Sequence, residues 1–252
     1  MGCDGTCRKG GGRSHGRPYH DPVPLGWDVS EASTLARSMT DGCHTRNSLM
    51  DRLTRAGTPV VELTGHAGVG KSHLFSTLSL AIRDSHPDAL IVGPRLRDLR
   101  GVPMYVVRDD PSILGTTLRI VRGSRVQWRY MPRYALGWLR IQAVLGGGRN
   151  GRRFTLLDEG LFQKLRALLG SRGSLEDIRS DLERCHVPDI VVHCTCSPDS
   201  LMKNLSTRER SLDLGEARDR LAASRRLLEQ WVSSVPAWRK RVEILNVRTD
   251  LE

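Results

Sequence analysis

Residues 65–72 read Gly-His-Ala-Gly-Val-Gly-Lys-Ser, a complete G-x-x-x-x-G-K-S/T loop. No other stretch restricts the fold so tightly, because such a loop works only between a strand and a helix. Its glycines let backbone N–H groups turn inward around a phosphate. Lys71 can then reach the β- and γ-phosphates, and the Ser72 hydroxyl can ligate Mg²⁺. The flanks fit this requirement. Pro59-Val-Val-Glu-Leu-Thr64 is β-rich, and Ser72–Arg83 brings Leu74, Leu78 and Ile82 onto one helical face. The helix N-terminus adds its dipole to the anion site. The expected ligands are ATP and Mg²⁺, held by Gly65, His66, Ala67, Gly68, Val69, Gly70, Lys71, Ser72 and His73.

The 252 residues suffice for one α/β domain with a substantial core. Apolar runs at 59–64, 89–93, 154–157, 189–194 and 242–247 read as strands. Helical spacing is expected at 72–84, 160–170, 174–185, 199–209 and 214–233. Near-continuous apolar strands alternating with helices predict a sheet buried on both faces. The expected fold is therefore α/β, a three-layer P-loop NTPase fold with a mainly parallel five-stranded sheet. Residues 1–26, rich in Gly, Arg, His and Pro, read as a disordered or loosely attached tail. Residues 27–57 read as a helical segment that turns Leu49, Met50 and Leu53 toward the domain, which occupies 58–252.

The segment 95–153 interrupts the alternation. It reads as an Arg-rich helical insert over the carboxyl edge of the sheet, where open α/β sheets bind ligands. Pro132 starts a helix with Tyr134, Trp138, Ile141 and Leu145 on one face, and Gly146-Gly-Gly148 is expected to end it. Arg133 and Arg140 share another face. The chain carries a net charge of +11, and this segment holds thirteen arginines against three aspartates. A basic partner surface is thus localised here rather than spread over the protein.

Six cysteines stand at irregular spacing without a paired C-x-x-C set, so a structural zinc site is not expected. Reduced thiols and the lack of a visible secretory signal fit a cytoplasmic location. No apolar run approaches the roughly 20 residues that span a bilayer, so no membrane partner is expected.

A second chemical motif follows the strand Phe154-Thr-Leu-Leu157. Asp158 at its tip is placed to hold Mg²⁺ with Ser72, and Glu159 to orient or deprotonate an attacking group. Asp158 could instead cap the helix that follows.

The loop 65–72, the strand running into Asp158-Glu159-Gly160, and Asp189-Ile-Val-Val-His-Cys-Thr-Cys-Ser-Pro-Asp199 with Arg208 and Arg210 resemble the nucleoside and nucleotide kinases, nearest the thymidylate-kinase-like branch. The resemblance implies a lid near 206–213 whose Arg208 and Arg210 stabilise the phosphoryl group in flight. Asn204 stands where that family often has Arg, and Asp-Glu-Gly replaces its common Asp-Arg.

Two functions follow as expectations. One is a phosphotransferase with catalytic residues Lys71, Glu159, Arg208 and Arg210, moving the γ-phosphoryl group of ATP to an anionic small-molecule acceptor. The acceptor would be a nucleoside, a nucleotide or a sugar phosphate. The other is a P-loop ATPase or nucleotide switch acting on nucleic acid or a protein, because Arg125-Val-Gln-Trp-Arg-Tyr-Met-Pro-Arg-Tyr134 interleaves basic and aromatic residues. A homodimer is a further expected assembly.

Overall fold

The computed structural model describes residues 46–55, 59–93, 111–123, 128–150, 154–169, 175–207 and 212–250. The expected tail and the two lid arginines, Arg208 and Arg210, lie outside these residues.

Five strands form one sheet: β1 (Val60–Gly65), β2 (Leu90–Val92), β3 (Thr155–Leu157), β4 (Ile190–Thr195) and β5 (Glu243–Arg248). Their order is β2-β3-β1-β4-β5, and every pairing is parallel. The fold is thus α/β, with the sheet and helix layers of a P-loop NTPase, and the sheet is wholly rather than mainly parallel. β1 is central, with Glu62 opposite both Leu157 of β3 and Val191 of β4.

The pleat sends alternate residues to opposite layers. Val61 and Leu63 of β1 meet Leu74, Leu78 and Ile82 of α2 (Lys71–Ser85) and Leu201 and Leu205 of α7 (Pro198–Ser206). Leu49 and Leu53 of α1 (Arg46–Arg55) are fully buried in the same layer, and Arg52 pairs with Glu243 of β5. Val60 and Leu157 face the other layer. It is built from α4 (Met131–Asn150), α5 (Leu161–Leu169), the single turn α6 (Arg179–Leu182), the far end of α8 (Leu214–Ser234) and the short α9 (Pro236–Arg239). Helix α3 (Ser112–Gly123) packs on α4 and is tied to α6 by Arg119 Nε, 2.7 Å from Asp181 Oδ1.

Two expectations change. Helix α4 does not stop at Gly146-Gly-Gly148 but runs on to Asn150. Gly146 serves close packing instead: a Cβ there would sit 3.0 Å from the His186 ring. The expected helix at 174–185 is a 3-10 turn, Glu176–Ile178, followed by α6.

From β1 the chain crosses over β3 to reach β2, whereas from β3 it crosses over β1 to reach β4. Right-handed crossovers in opposite directions put α2 and α5 on opposite faces. The loops leaving β1 and β3 therefore part above the sheet and open a crevice at its carboxyl edge. Among the described residues no helix is long and apolar enough to cross a membrane.

The second half of the Arg-rich segment belongs to the domain core. Trp138, Ile141 and Leu145 are fully buried among residues of β1, β3 and α5. Trp138→Ala is therefore expected to lower the free energy of unfolding of the whole domain by about 3–5 kcal/mol in urea titration. A local effect, with the main transition unmoved, would show that α4 folds apart from the sheet.

Candidate active site

The phosphate loop is shaped from beneath and from both sides. Gly65 ends β1 so close to β4 that a Cβ would lie 2.5 Å from the Cys194 carbonyl oxygen. Gly70 has φ of 88°, the left-handed conformation that starts α2 with its first N–H groups turned into the loop. The outward carbonyls are held by neighbours. Asn204 Nδ2 of α7 donates to Gly68 O at 2.8 Å, and the Thr249 hydroxyl after β5 donates to Val69 O. Thr249 N is in turn held by Thr195 O at 2.9 Å.

Lys71 folds over the loop, its Nζ donating to Gly65 O at 3.1 Å and His66 O at 3.4 Å. Burial lowers the Lys71 pKa, while the charges of Asp158 and Glu159 work to raise it. The ammonium thus lies within electrostatic reach of both acids named by the sequence. Ser72 and His73 are exposed on the first turn of α2. His66 caps the loop with Nδ1 2.8 Å from Ala67 O. Burial lowers its pKa, and Arg166, Arg220 and Lys71 push the same way, so the imidazole is neutral at pH 7.

Asp158 leaves β3 with its N–H on Val92 O at 3.1 Å. Its side chain is buried, and Oδ1 has no hydrogen-bond partner among the described residues. Burial raises its pKa, with Glu159 adding to the rise and Lys71 opposing it. A hard carboxylate oxygen without a partner among the described residues, on a group within electrostatic reach of Lys71, suits a divalent cation, so Ser72 and Asp158 fit Mg²⁺ by their chemistry. Glu159 is partly exposed, with Lys164 Nζ of α5 3.9 Å from its Oε2.

Three ionisable groups here escape a motif search. Glu62, on β1, is wholly buried. Its Oε1 accepts from Phe162 N at 2.8 Å and Gln163 N at 3.3 Å, in the first turn of α5. Burial pushes its pKa up to about 8 against those N–H groups. The available signal was an acid at an inward position of Val60-Val-Glu-Leu-Thr64, where alternation faces it to a covered layer. Arg166 of α5 and Arg220 of α8 are the others, and both add to the positive field on His66. Arg220 is bound to Glu216 at 2.6 Å, and burial lowers the Arg166 pKa with Arg220 contributing. Neither stands in a motif, so nothing in the sequence marks them.

A glycine-lined loop between the central parallel strand and its helix, with an acid at the tip of the neighbouring strand, is the arrangement of a P-loop NTPase fold. The chain matches no protein-family model and no curated protein sequence. Among solved structures it is similar to a deoxyadenosine kinase from M. mycoides, recorded with the products dCMP and a flexible dCDP bound. That match spans 76% of this chain and 91% of that one, at 16% identity and a TM-score of 0.38. At that level, the class rests on this chain's own topology and loop.

The buried carboxyl gives a pH dependence with a definite sign. Folded Glu62 keeps its proton up to about pH 8, whereas the unfolded chain releases it near the ordinary value of 4.5. The folded state thus binds more protons in between, so stability is full below the lower value and is lost as pH rises through the upper one. The expected loss is on the order of a few kcal/mol. Urea midpoints between pH 5 and 9 measure it, and Glu62→Gln should flatten that slope.

Proposed function

We propose that the chain is an ATP-dependent phosphotransferase, with the γ-phosphoryl group passing to a small anionic acceptor. The observation that carries this reading is the convergence of Lys71, Asp158 and Glu159 at the crevice where the β1 and β3 loops part. Loop N–H groups hold the phosphates, and Lys71 moves from the carbonyls of Gly65 and His66 to the β- and γ-oxygens. Ser72 and Asp158 hold Mg²⁺, which when bound neutralises charge on the phosphate oxygens. Glu159 takes the proton of the acceptor hydroxyl as the acceptor oxygen bonds to the γ-phosphorus. The bond from that phosphorus to the β–γ bridging oxygen breaks, and ADP leaves. For a phosphorylated acceptor without a free hydroxyl, the attacking group is its phosphate oxygen and Glu159 orients it. Arg208 and Arg210 serve as lid cations, as in the thymidylate-kinase-like branch, and Arg166 adds fixed positive charge.

One observation favours a second reading, an ATPase working on a polynucleotide. The guanidinium of Arg129 lies 4.8 Å from the centre of the exposed Tyr130 ring, with Arg133 one turn on, a basic and aromatic surface that could stack bases. ATP consumption measured with nucleosides, nucleoside monophosphates and sugar phosphates, and separately with DNA and RNA, decides between them. Small-molecule stimulation is expected, and stimulation by polynucleotide alone would sink the kinase reading.

Lys71→Ala should lower turnover by about 10²–10³-fold or more with the fold intact by circular dichroism. Near-normal turnover in the folded variant would remove the loop from the mechanism. Glu159→Gln should lower turnover far more than ATP affinity, and the opposite split would take the base role from Glu159.

A further inference from the structure

The helix after Asp158-Glu159-Gly160 is capped in an unusual way. The first N–H groups of a helix need acceptors, usually a side chain just ahead of it. At α5 the residue in that place is Gly160, which has no side chain. Asp158 does not fill the role, since its Oδ1 is without a partner among the described residues. The N–H groups of Phe162 and Gln163 go instead to Glu62, about a hundred residues earlier and on the central strand.

Gly160 is fitted to that arrangement. A Cβ on it would lie 2.4 Å from both Cδ and Oε2 of Glu62. The Glu62 carboxyl is thus wedged between the turn and α5, and Asp158 N is pinned to Val92 O of β2 at 3.1 Å. These two ties grip the turn on either side of the acids. A Ser or Asn at position 160 would cap the helix at far smaller desolvation cost than a buried carboxyl with a partnerless Oε2. What a local cap would not do is lock the turn to β1, the strand that carries the phosphate loop.

We propose that Glu62 is a positioning residue for the cation site: by capping α5 from the central strand it holds the turn 158–160 against the phosphate loop and leaves the Asp158 carboxylate free for Mg²⁺. This rests on the reading of Asp158 as a Mg²⁺ ligand. Glu62 itself touches neither the nucleotide nor the metal. It sets the distance between the two halves of the site, which leave the sheet from β1 and β3.

The test is binding of a fluorescent ATP analogue to the full chain, in EDTA and in saturating Mg²⁺. The wild type should bind more tightly with Mg²⁺, and Asp158→Ala should lose that gain. Glu62→Ala and Gly160→Ala should keep the EDTA affinity but lose about tenfold or more of the Mg²⁺ gain, the usual scale for removing a group behind a metal ligand. Glu62→Gln should retain most of it, because the amide oxygen still accepts from both N–H groups. A full Mg²⁺ gain in folded Glu62→Ala, with Asp158→Ala defective, overturns the positioning role alone. If Glu62→Ala does not fold, a full gain in Gly160→Ala overturns it equally. A wild type with no Mg²⁺ gain, or a full gain in Asp158→Ala, removes the metal reading and this proposal with it. A loss in Glu62→Gln as large as in Glu62→Ala would overturn the hydrogen-bond basis.

Discussion

A phosphate loop has to keep several N–H groups pointing at empty space, a conformation that leaves the opposite carbonyls turned outward. Unsupported, such a loop would relax, because buried polar backbone without partners is costly. In this protein the outward side is held by residues from two distant segments. Asn204 takes Gly68 O, Thr249 takes Val69 O, and Leu201 and Leu205 lie beneath Gly68. Thr249 is itself anchored to Thr195, so the ends of β4 and β5 must be in register before the loop is braced. The anion site is thus a product of the whole right half of the sheet, not of eight residues.

The left half contributes the acids, and the two halves need a link that sequence neighbours cannot give. β1 and β3 are adjacent, but about ninety residues separate their ends. Backbone pairing fixes the strands to Leu157, with one last bond from Asp158 N to Val92 O; beyond it the chain leaves the sheet. Glu62 extends the constraint by one more layer, from β1 to the first turn of α5. Its burial is a sizeable desolvation penalty accepted at the point where the ladder runs out. The same economy explains Gly160, a residue whose small size is dictated by the carboxyl beside it rather than by any turn of its own.

The strands were legible in the sequence to within a residue, because a sheet covered on both faces requires unbroken apolar runs. The loop was legible because only glycine tolerates its geometry, and the helix after it because Leu74, Leu78 and Ile82 keep strict spacing. What failed were inferences from a residue's usual habit. Gly146-Gly-Gly148 looked like a helix end, yet tertiary packing against His186 overrode propensity. The other use open to Asp158, capping the helix after it, falls instead to Glu62, through a contact a hundred residues away. Asn204 read as a missing arginine. Its place in the structure is instead a brace for the loop, its amide donating to Gly68 O at 2.8 Å.

The Arg-rich segment shows how charge and core can share one helix. Trp138, Ile141 and Leu145 commit one side of α4 to the sheet, which removes Trp138 from any ligand. Arg133, Gly137 and Arg140 lie on a different face by their three- and four-residue spacing. At Gly137 that face passes close to α5: a Cβ there would come 3.8 Å from Lys164 Cε. Lys164 in turn reaches back to Glu159. Because α4 leads into a parallel strand, it runs downward, and its arginine-bearing start lies at the carboxyl edge beside the crevice. Positive charge is therefore carried by the core helix and Lys164 to the edge of the sheet where Glu159 leaves β3.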